Sequence, residues 1–327
     1  MSALPPLRLT PRLVEKPWGG VRLGALGRAL PRGILVGESW DLVDLDPQMT
    51  PVPDPVSRVC GGPLDGMRLR DLVRSSAADL LGPSLAGADR FPLLVKHLDA
   101  REHLSVQVHP TASVVADYPG SYLKTESWVV VAAGPRSELM LGLAPGTTPE
   151  AVEAALGSPD IVPLVRRVPA RVGDVHHLPP GLVHAVGAGV VVAEVETPSD
   201  TTFRLYDWTR EYGRSPRDLH TEQAMASIRS AWDVNLSPPP PVGHDGLVVS
   251  SDAYTITRQT TPDAQTVQVA PRPLVRIVLT LAGRLSVTGL DEDLRAGELA
   301  ILPACWDGGI TSEAGTTWLD VDVVAPG

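Results

Sequence analysis

The sequence has few cysteines, no long apolar run and no basic block, and each absence excludes a class of protein. Its two cysteines, Cys60 and Cys305, belong to no spaced motif, which fits a reduced, cytoplasmic setting. No apolar run reaches the ~18 residues that cross a bilayer, and the first residues, MSALPPLRLTPRL, lack the apolar core of a secretory signal. We therefore expect a cytoplasmic protein without a membrane partner.

The charge balance argues against a nucleic-acid partner. The formal net charge is −10, and arginine and lysine are not clustered into the basic patch that phosphate backbones require. The length of 327 residues and the hydrophobic content of 43% suit a globular protein of two domains, or of one large β domain.

Lysine is scarce. Of the 28 basic residues only three are lysine, namely Lys16, Lys96 and Lys124. Where arginine is so favoured, a lysine can be retained because an ammonium is needed, since lysine loses its proton when buried and arginine does not. The alternative is chance retention on the surface.

Short β-like runs dominate the chain, and turn signals separate them. They are rich in Val, Leu, Ile and Thr, which favours strands. Helical patterns cover residues 68–82, 147–157 and 215–232. We therefore predict a mainly β protein with a few peripheral helices. The β-like runs are PLLVKHL, LSVQVHP, SWVVVAAG, GVVVAEVE, TFRLYDW, LVRIVLTLAG, LSVTG and ELAILPA.

A proline-rich segment divides the chain. Residues 237–242 read SPPPPV, and four successive prolines neither continue a helix nor enter the interior of a sheet. We predict a linker here, between an N-terminal domain at 1–236 with helical insertions and a C-terminal domain at 243–327.

A weak internal repeat indicates that one β unit is used twice. VGDVHHLPPG at 172–181 and AGELAILPAC at 296–305 share a glycine, an acidic residue and a proline at the same spacing, and a β run closing on Ala-Gly precedes each. Such turns suit one strand of a small antiparallel barrel. The second copy lacks histidine, so we predict that the C-terminal barrel is degenerate and metal-free.

Three of the eight histidines fall in HHLPPGLVHAV, residues 176–186. The spacing G-x5-P-x-G-x2-H, which ends at His184, is similar to the second sequence motif of the cupin barrel and makes His184 an inward-facing ligand. His176 and His177 are adjacent on a strand and face opposite sides, so at most one of them faces the barrel interior. We do not expect either of them to be a ligand.

Partner ligands lie upstream. Ser105, Gln107 and His109 alternate along LSVQVHP and share one face of a strand, and Lys124 and Glu126 do the same in LKTESW. Two imidazoles and one carboxylate form a ligand set that holds zinc with a position left open, which is typical of a catalytic site. The predicted metal ligands are His109, Glu126 and His184.

Several motifs occur together in one order: PLLVKHLDA, LSVQVHP, KTESW, PPGLVHAVG and SDTTFRLYDW. With EKPWGG at 15–20 and GESWDL at 37–42, they make the sequence similar to the class I phosphomannose isomerases, the zinc-dependent cupin enzymes. The resemblance is close over residues 10–230 and loose over the C-terminal barrel, and the length resembles the short bacterial form. It implies two cupin-type, jelly-roll β-barrels.

The resemblance also implies roles for particular residues. One zinc ion per chain is held by the three predicted ligands, and Gln107 matches a fourth ligand of the longer members. Arg204, in SDTTFRLYDW, matches the active-site arginine, and Lys124 matches a pocket lysine. The implied reaction interconverts mannose 6-phosphate and fructose 6-phosphate through an enediol.

These residue types suit that chemistry. Zinc polarises the C1 and C2 oxygens as a Lewis acid, a fixed cation such as Arg204 stabilises the enediolate, and a base carries the proton. Lys124 is one candidate base, and binding of the phosphate is its alternative role. The rival bases are Glu196 and Asp200. The residues expected to bind the substrate are Ser105, Lys96 and Gln107, the first two through its phosphate.

Two other functions stay open. A metal-dependent cupin oxygenase also uses histidines with a carboxylate, although the cations Lys124 and Arg204 better suit a phosphorylated substrate. A non-catalytic sugar-phosphate-binding cupin is the second alternative, although all the expected ligands are present. The sequence leaves a monomer and a dimer equally open.

Overall fold

The computed structural model describes residues 4–234 and 236–325, and most of its regular structure is antiparallel β-sheet. A short pair of strands lies near the N-terminus, β1 (Arg8–Leu9) with β4 (Val59–Cys60). No helix in the described part of the chain is long and apolar enough to cross a membrane.

Two facing sheets form what we call the N-terminal sandwich. Its strands are β2 (Arg12–Gly20), β3 (Val36–Leu42), β5 (Leu94–Ala100), β6 (Val106–Val108), β7 (Glu126–Ala133), β8 (Glu138–Leu143), β9 (Val165–Pro169), β10 (Val175–Leu178), β11 (His184–Val186), β12 (Val190–Glu196) and β13 (Phe203–Tyr206). The large sheet has the order β10-β7-β12-β5-β3-β2, and the facing sheet has the order β13-β6-β11-β8-β9.

Two further sheets form the C-terminal sandwich. Its strands are β14 (Gly246–Ser250), β15 (Tyr254–Thr261), β16 (Gln265–Val269), β17 (Arg276–Ala282), β18 (Arg284–Val287), β19 (Leu294–Arg295), β20 (Leu299–Leu302), β21 (Gly308–Ser312) and β22 (Thr316–Val323). The larger sheet has the order β14-β15-β22-β17-β20, and its partner has the order β16-β21-β18-β19.

The two sandwiches repeat one strand order. Read from the edge, β10-β7-β12-β5-β3 corresponds to β20-β17-β22-β15-β14, and β6-β11-β8-β9 corresponds to β16-β21-β18-β19. The two copies of the sequence repeat contain the edge strands β10 and β20, so the repeat in the sequence coincides with the repeated strand order. Each sandwich consists of open sheets in the described residues, so the mainly β class is confirmed and closure into barrels is not.

The two large sheets pack back to back. One apolar core contains Val129 and Val195 from the N-terminal sheet together with Ile277, Leu319 and Val321 from the C-terminal sheet. Since side chains alternate along a strand, the opposite face of each sheet is free to face the interior of its own sandwich. The N-terminal large sheet therefore has one face toward the C-terminal half and one toward its own interior.

The helices lie at the periphery. Their bounds are α1 (Leu69–Leu81), α2 (Ala112–Asp117), α3 (Pro149–Ala155), α4 (Thr209–Tyr212) and α5 (Thr221–Ser230). The first predicted helix ends at Gly82, as expected. In α3, Thr148 caps the first turn by accepting a hydrogen bond from the Ala151 amide.

The third predicted helix is shorter than the pattern suggested. Residues 215–220 are not helical, and the helix begins at Thr221. Pro216 disfavours helical geometry at the residue before it, and the side chain of Arg217 is instead paired with Asp207.

The proline-rich segment contains no helix or strand among its described residues. The division into domains at 1–236 and 243–327 stays a prediction. Residues 1–3, 235, 326 and 327 of these ranges lie outside the described residues.

Candidate metal centre and its cavity

Three buried side chains meet inside the N-terminal sandwich. Glu126 begins β7 in the large sheet, whereas His184 begins β11 and His109 directly follows β6 in the facing sheet. The His109 Nε2 and Glu126 Oε2 atoms are 3.0 Å apart, and His184 Nε2 lies 3.3 Å from Glu126 Oε1. All three residues are buried, and their ligand atoms lie within 4.8 Å of one another. We call them the ligand group.

The hydrogen bonds around the ligand group suit a metal ion. His109 Nδ1 lies 2.8 Å from the Thr201 carbonyl oxygen, and His184 Nδ1 lies 2.8 Å from that of Leu182. A carbonyl accepts from N–H, so both imidazoles keep the Nε2 lone pair for the centre of the group, the arrangement usual in metal sites. The Glu126 Oε1 atom is buried without a hydrogen-bond partner.

The charge states fit as well. Burial lowers the pKa of His184 to about 4, so its imidazole is neutral at neutral pH. Burial by itself would raise the pKa of Glu126, but the ammonium of Lys124 lowers it well below its ordinary value. Neutral imidazole and ionised carboxylate are the forms that bind metal.

Gln107 and Ser105 lie beside the ligand group. The Gln107 Nε2 atom is 3.2 Å from His184 Nε2, and Ser105 Oγ donates to Gln107 Oε1 over 2.9 Å. A metal would be bound by the amide oxygen, so a ligand role for Gln107 requires the opposite orientation of its amide.

The other two histidines of the 176–186 stretch lie outside the ligand group. In the described residues, the groups of side chains that could hold a metal are the ligand group and the acidic trio of Glu126, Glu194 and Glu196. His176 is buried with both ring nitrogens unpartnered, and His177 contacts Ser127 on the opposite face of the sheet.

All three lysines line one cavity next to the ligand group. Lys96 and Lys124 are buried, so chance retention on the surface does not explain them, and Lys16 is half-buried. Lys16 pairs with Glu38 over 3.1 Å, and Lys96 pairs with Glu196 over 2.9 Å. Burial would raise the pKa of Glu38, but Lys16 and Lys96 bring it down to about 2.

Lys124 is surrounded by carboxylates. Its Nζ atom lies 3.1 Å from Glu126 and 3.3 Å from Glu194, and it also contacts Glu196. Burial would lower the pKa of Lys124, but these three carboxylates raise it well above its ordinary value. The amine is therefore held as an ammonium.

Arg204 and Arg217 also line the cavity, together with Ser105, Gln107 and Asp200. The Nε atom of Arg204 is buried and has no hydrogen-bond partner. Burial and the nearby Arg217 lower the pKa of Arg204. Arg217 is itself held by a bidentate contact with Asp207.

Several cavity residues were not singled out in the sequence. Glu194 and Glu196 alternate in VVVAEVE, so the sequence indicates that they share one face of a strand, although only Glu196 is a predicted candidate base. Glu38 lies within the GESWDL motif without a role assigned to it. Arg217 lies thirteen residues after Arg204, and a loop intervenes. This spacing fits neither a strand nor a helix period, so it does not predict that the two side chains meet.

The sequence matches a protein-family model and known proteins. The protein-family model of the type I phosphomannose isomerase catalytic domain matches residues 48–127 of the sequence. The mannose-6-phosphate isomerase of Streptococcus mutans is 34% identical over 307 residues, which cover 91% of this chain and 92% of that protein.

Solved structures agree on the fold. The crystal structure of the mannose 6-phosphate isomerase from Bacillus subtilis superposes with a TM-score of 0.78 at 26% identity, covering 97% of this chain and 99% of that one. A mannose 6-phosphate isomerase bound with zinc and yttrium superposes with a TM-score of 0.70 at 17% identity, covering 98% and 100% of the two chains.

The fold and the ligand group define the class, a mainly β, cupin-like protein with a buried group of side chains that could hold a metal ion. Within that class, the chain belongs to the type I phosphomannose isomerase family.

Proposed function

We propose that the protein is a zinc-dependent aldose-ketose isomerase that interconverts mannose 6-phosphate and fructose 6-phosphate through an enediol. The observation that carries this proposal is a buried His-Glu-His group beside a cavity lined by five basic side chains. A sugar phosphate combines an anionic end with oxygen ligands at C1 and C2, which suits such a cavity. The names of the relatives identify the same reaction.

Zinc is the proposed metal, one ion per chain. His109, Glu126 and His184 would hold it, since two neutral imidazoles and a carboxylate are typical of zinc sites with an open position. When bound, zinc supplies a Lewis acid for the C1 and C2 oxygens of the sugar. Gln107 is a further candidate ligand beside His184.

Arg204 is the proposed stabiliser of the enediolate. Its buried Nε–H has no acceptor among the described residues, so this donor is available to a substrate oxygen. Negative charge develops on that oxygen only after the proton leaves carbon. A fixed guanidinium in a buried site therefore acts mainly on the transition state.

Proton transfer between C2 and C1 is assigned to a carboxylate. Lys124 is kept protonated by its three acidic neighbours, so we assign it to charge stabilisation. Glu196 is paired with both Lys96 and Lys124. Burial and the nearby Glu126 and Glu196 raise the pKa of Glu194 well above its ordinary value, so this carboxylate is the more strongly proton-accepting of the pair.

Glu194 is therefore the proposed base, and Asp200, which also lines the cavity, is its rival. In D2O, Glu194→Gln should bind the substrate but fail to exchange the C2 proton with solvent. Asp200→Asn and Lys124→Arg should retain exchange. Exchange that is lost in Asp200→Asn and kept in Glu194→Gln would reassign the base.

The phosphate is proposed to bind Ser105 and Lys96, with Arg217 as an additional cation, while Gln107 contacts the sugar beside the metal centre. All four line the same cavity. Lys96 is held in place by Glu196 and Asp200, which lie 2.9 and 3.5 Å from its ammonium. These carboxylates fix the position of its positive charge.

A coupled assay for fructose 6-phosphate formation tests the function as a whole. Activity should disappear with a chelator and return with zinc. Metal-dependent oxygen consumption without isomerisation would instead identify an oxygenase. Binding of mannose 6-phosphate without turnover would identify a binding module.

A further inference from the structure

Tyr254 connects the two sandwiches behind the ligand group. It begins β15 of the C-terminal sandwich and is completely buried. Its hydroxyl donates to the Val195 carbonyl oxygen over 3.0 Å and lies 2.9 Å from Ser127 Oγ. Both partners belong to the large sheet of the N-terminal sandwich, so a C-terminal side chain is bonded directly to strands that carry the site.

These partners are next to the site residues. Ser127 and Val195 face each other across β7 and β12, and the neighbouring cross-strand pair is Glu126 with Glu196. Because side chains alternate, Ser127 faces the C-terminal half while Glu126 faces the interior of the sandwich. The Tyr254 hydroxyl therefore holds the cross-strand pair adjacent to Glu126.

The hydrogen bonds extend to a third strand. Ser127 Oγ lies 2.9 Å from Nδ1 of His177, which is its cross-strand partner on β10. Tyr254 has one hydroxyl proton, and Val195 accepts it. Ser127 must then donate to the Tyr254 oxygen, and His177 must donate to Ser127. One donor chain thus joins β10, β7 and β12 at a single level of the sheet.

We propose that Tyr254 is a positioning residue for the metal centre. Through its hydroxyl, the C-terminal sandwich sets the separation and register of the two strands that carry Glu126, Glu194 and Glu196. Groups that hydrogen-bond directly to metal ligands commonly change metal affinity by about 10–100-fold. Tyr254 bonds the residue next to Glu126, so we expect its effect at the low end of that range. This inference rests on the proposed function, because it assumes that the ligand group binds zinc.

The test compares Tyr254→Phe with Ile256→Val. Phenylalanine keeps the ring and removes the hydroxyl. Ile256 lies two residues along the same strand, in the same apolar core, and reaches no site strand by a hydrogen bond. Zinc affinity is measured by competition with a chelator, the visible spectrum is recorded with cobalt in place of zinc, and Tm is measured for both variants.

We expect Tyr254→Phe to lower zinc affinity roughly 10-fold, to change the cobalt spectrum, and to lower kcat with little change in KM. Ile256→Val should lower Tm and leave zinc affinity and the cobalt spectrum unchanged. Ser127→Ala should weaken zinc binding as well, and the double variant should be no worse than the larger single loss.

Wild-type zinc affinity in both Tyr254→Phe and Ser127→Ala would overturn the proposal, as would an equal loss in Ile256→Val. The affinity readout does not depend on turnover. A protein that binds zinc in this pattern without isomerising sugar phosphates would refute the proposed reaction and leave the role of Tyr254 intact. A wild-type protein that binds no zinc would refute both.

Discussion

The two sandwiches share one strand order, yet their interiors differ in kind. The N-terminal interior contains the ligand group and a cavity lined by charged side chains. The C-terminal interior is packed with apolar side chains, including Trp306, Trp318, Leu285 and Ile310. The same β unit therefore supports a polar site in one copy and an apolar core in the other.

The strand register shows which positions changed. Both large sheets have a bulge at the corresponding place, where Val131 of β7 and Leu281 of β17 are skipped in the pairing. Counting from these bulges identifies equivalent positions along the paired strands. The equivalent pairs are Glu126 and Arg276, Glu194 and Asp320, and Glu196 and Asp322.

The positions of Glu194 and Glu196 are thus also acidic in the C-terminal sandwich, whereas the position of the predicted ligand Glu126 is occupied there by Arg276. The Arg276 Nη1 atom lies 3.3 Å from Asp320, and both side chains are buried. A guanidinium offers no lone pair to a metal, and its charge balances the carboxylate inside the protein. A single difference at this position therefore replaces a possible metal ligand with a cation supplied by the protein.

The largest expected effect comes from the ligand group. His184→Ala should lose bound zinc and lower isomerase activity by roughly 10³-fold or more, because the Lewis acid supplies several kcal/mol to the reaction. His176→Ala, from the same stretch of sequence, should largely retain both. The check is metal content by elemental analysis together with the coupled assay. Loss of zinc in His176→Ala but not in His184→Ala would show that His176, and not His184, is the ligand.

The second prediction tests the arginine of the C-terminal sandwich. Arg276→Met should destabilise the protein by about 3–5 kcal/mol, because it leaves the buried Asp320 without its cation. Zinc content should stay unchanged. The double variant with Asp320→Leu should recover much of the stability, since an apolar pair replaces the ion pair. Urea unfolding measures both variants, and a loss of zinc in either would break the comparison between the halves.

The third prediction concerns Arg204. Arg204→Ala should lower kcat and kcat/KM together by ~10²–10³-fold, because its contact forms mainly in the transition state. The control is Arg258→Ala. Arg258 is a buried arginine that donates to the Gly173 carbonyl oxygen near the junction of the halves, so its loss should affect stability more than turnover. Steady-state kinetics separate the two, and near-normal turnover in Arg204→Ala would remove it from the mechanism.

The smallest effect is a pH dependence of stability that comes from the buried His184. The pKa of His184 is lowered by burial to about 4 in the folded protein, against about 6.5 in the unfolded chain. The unfolded chain therefore binds a proton that the native protein does not. Stability should be full above about pH 6.5 and should fall by about 3 kcal/mol as the pH drops toward 4.

Urea unfolding of the metal-free protein between pH 7 and pH 4 checks this dependence. His184→Gln should reduce the slope by the part that His184 contributes. His244→Gln, at an exposed histidine beside the C-terminal sandwich, should leave it as it is. An unchanged slope in His184→Gln would show that another group carries the pH dependence.

Much of the site could be predicted because its signals are local. The alternation of Ser105, Gln107 and His109 along one strand, and of Lys124 and Glu126 along another, indicates shared faces without any knowledge of the fold. The scarcity of lysine pointed to all three cavity lysines. Closure into barrels was not confirmed, because a strand pattern does not specify whether the edges of a sheet meet.

The local pattern of residues indicates the β class, the repeated strand unit and the residues that could hold a metal, since strand periodicity and motif spacing are properties of neighbouring residues. The packing of the folded chain brings Glu194, Glu38 and Arg217 into one cavity and places Tyr254 behind Glu126. These residues come from distant segments, and they meet because sheets stack face to face. Such meetings depend on the register and packing of several strands at once, which no local pattern encodes.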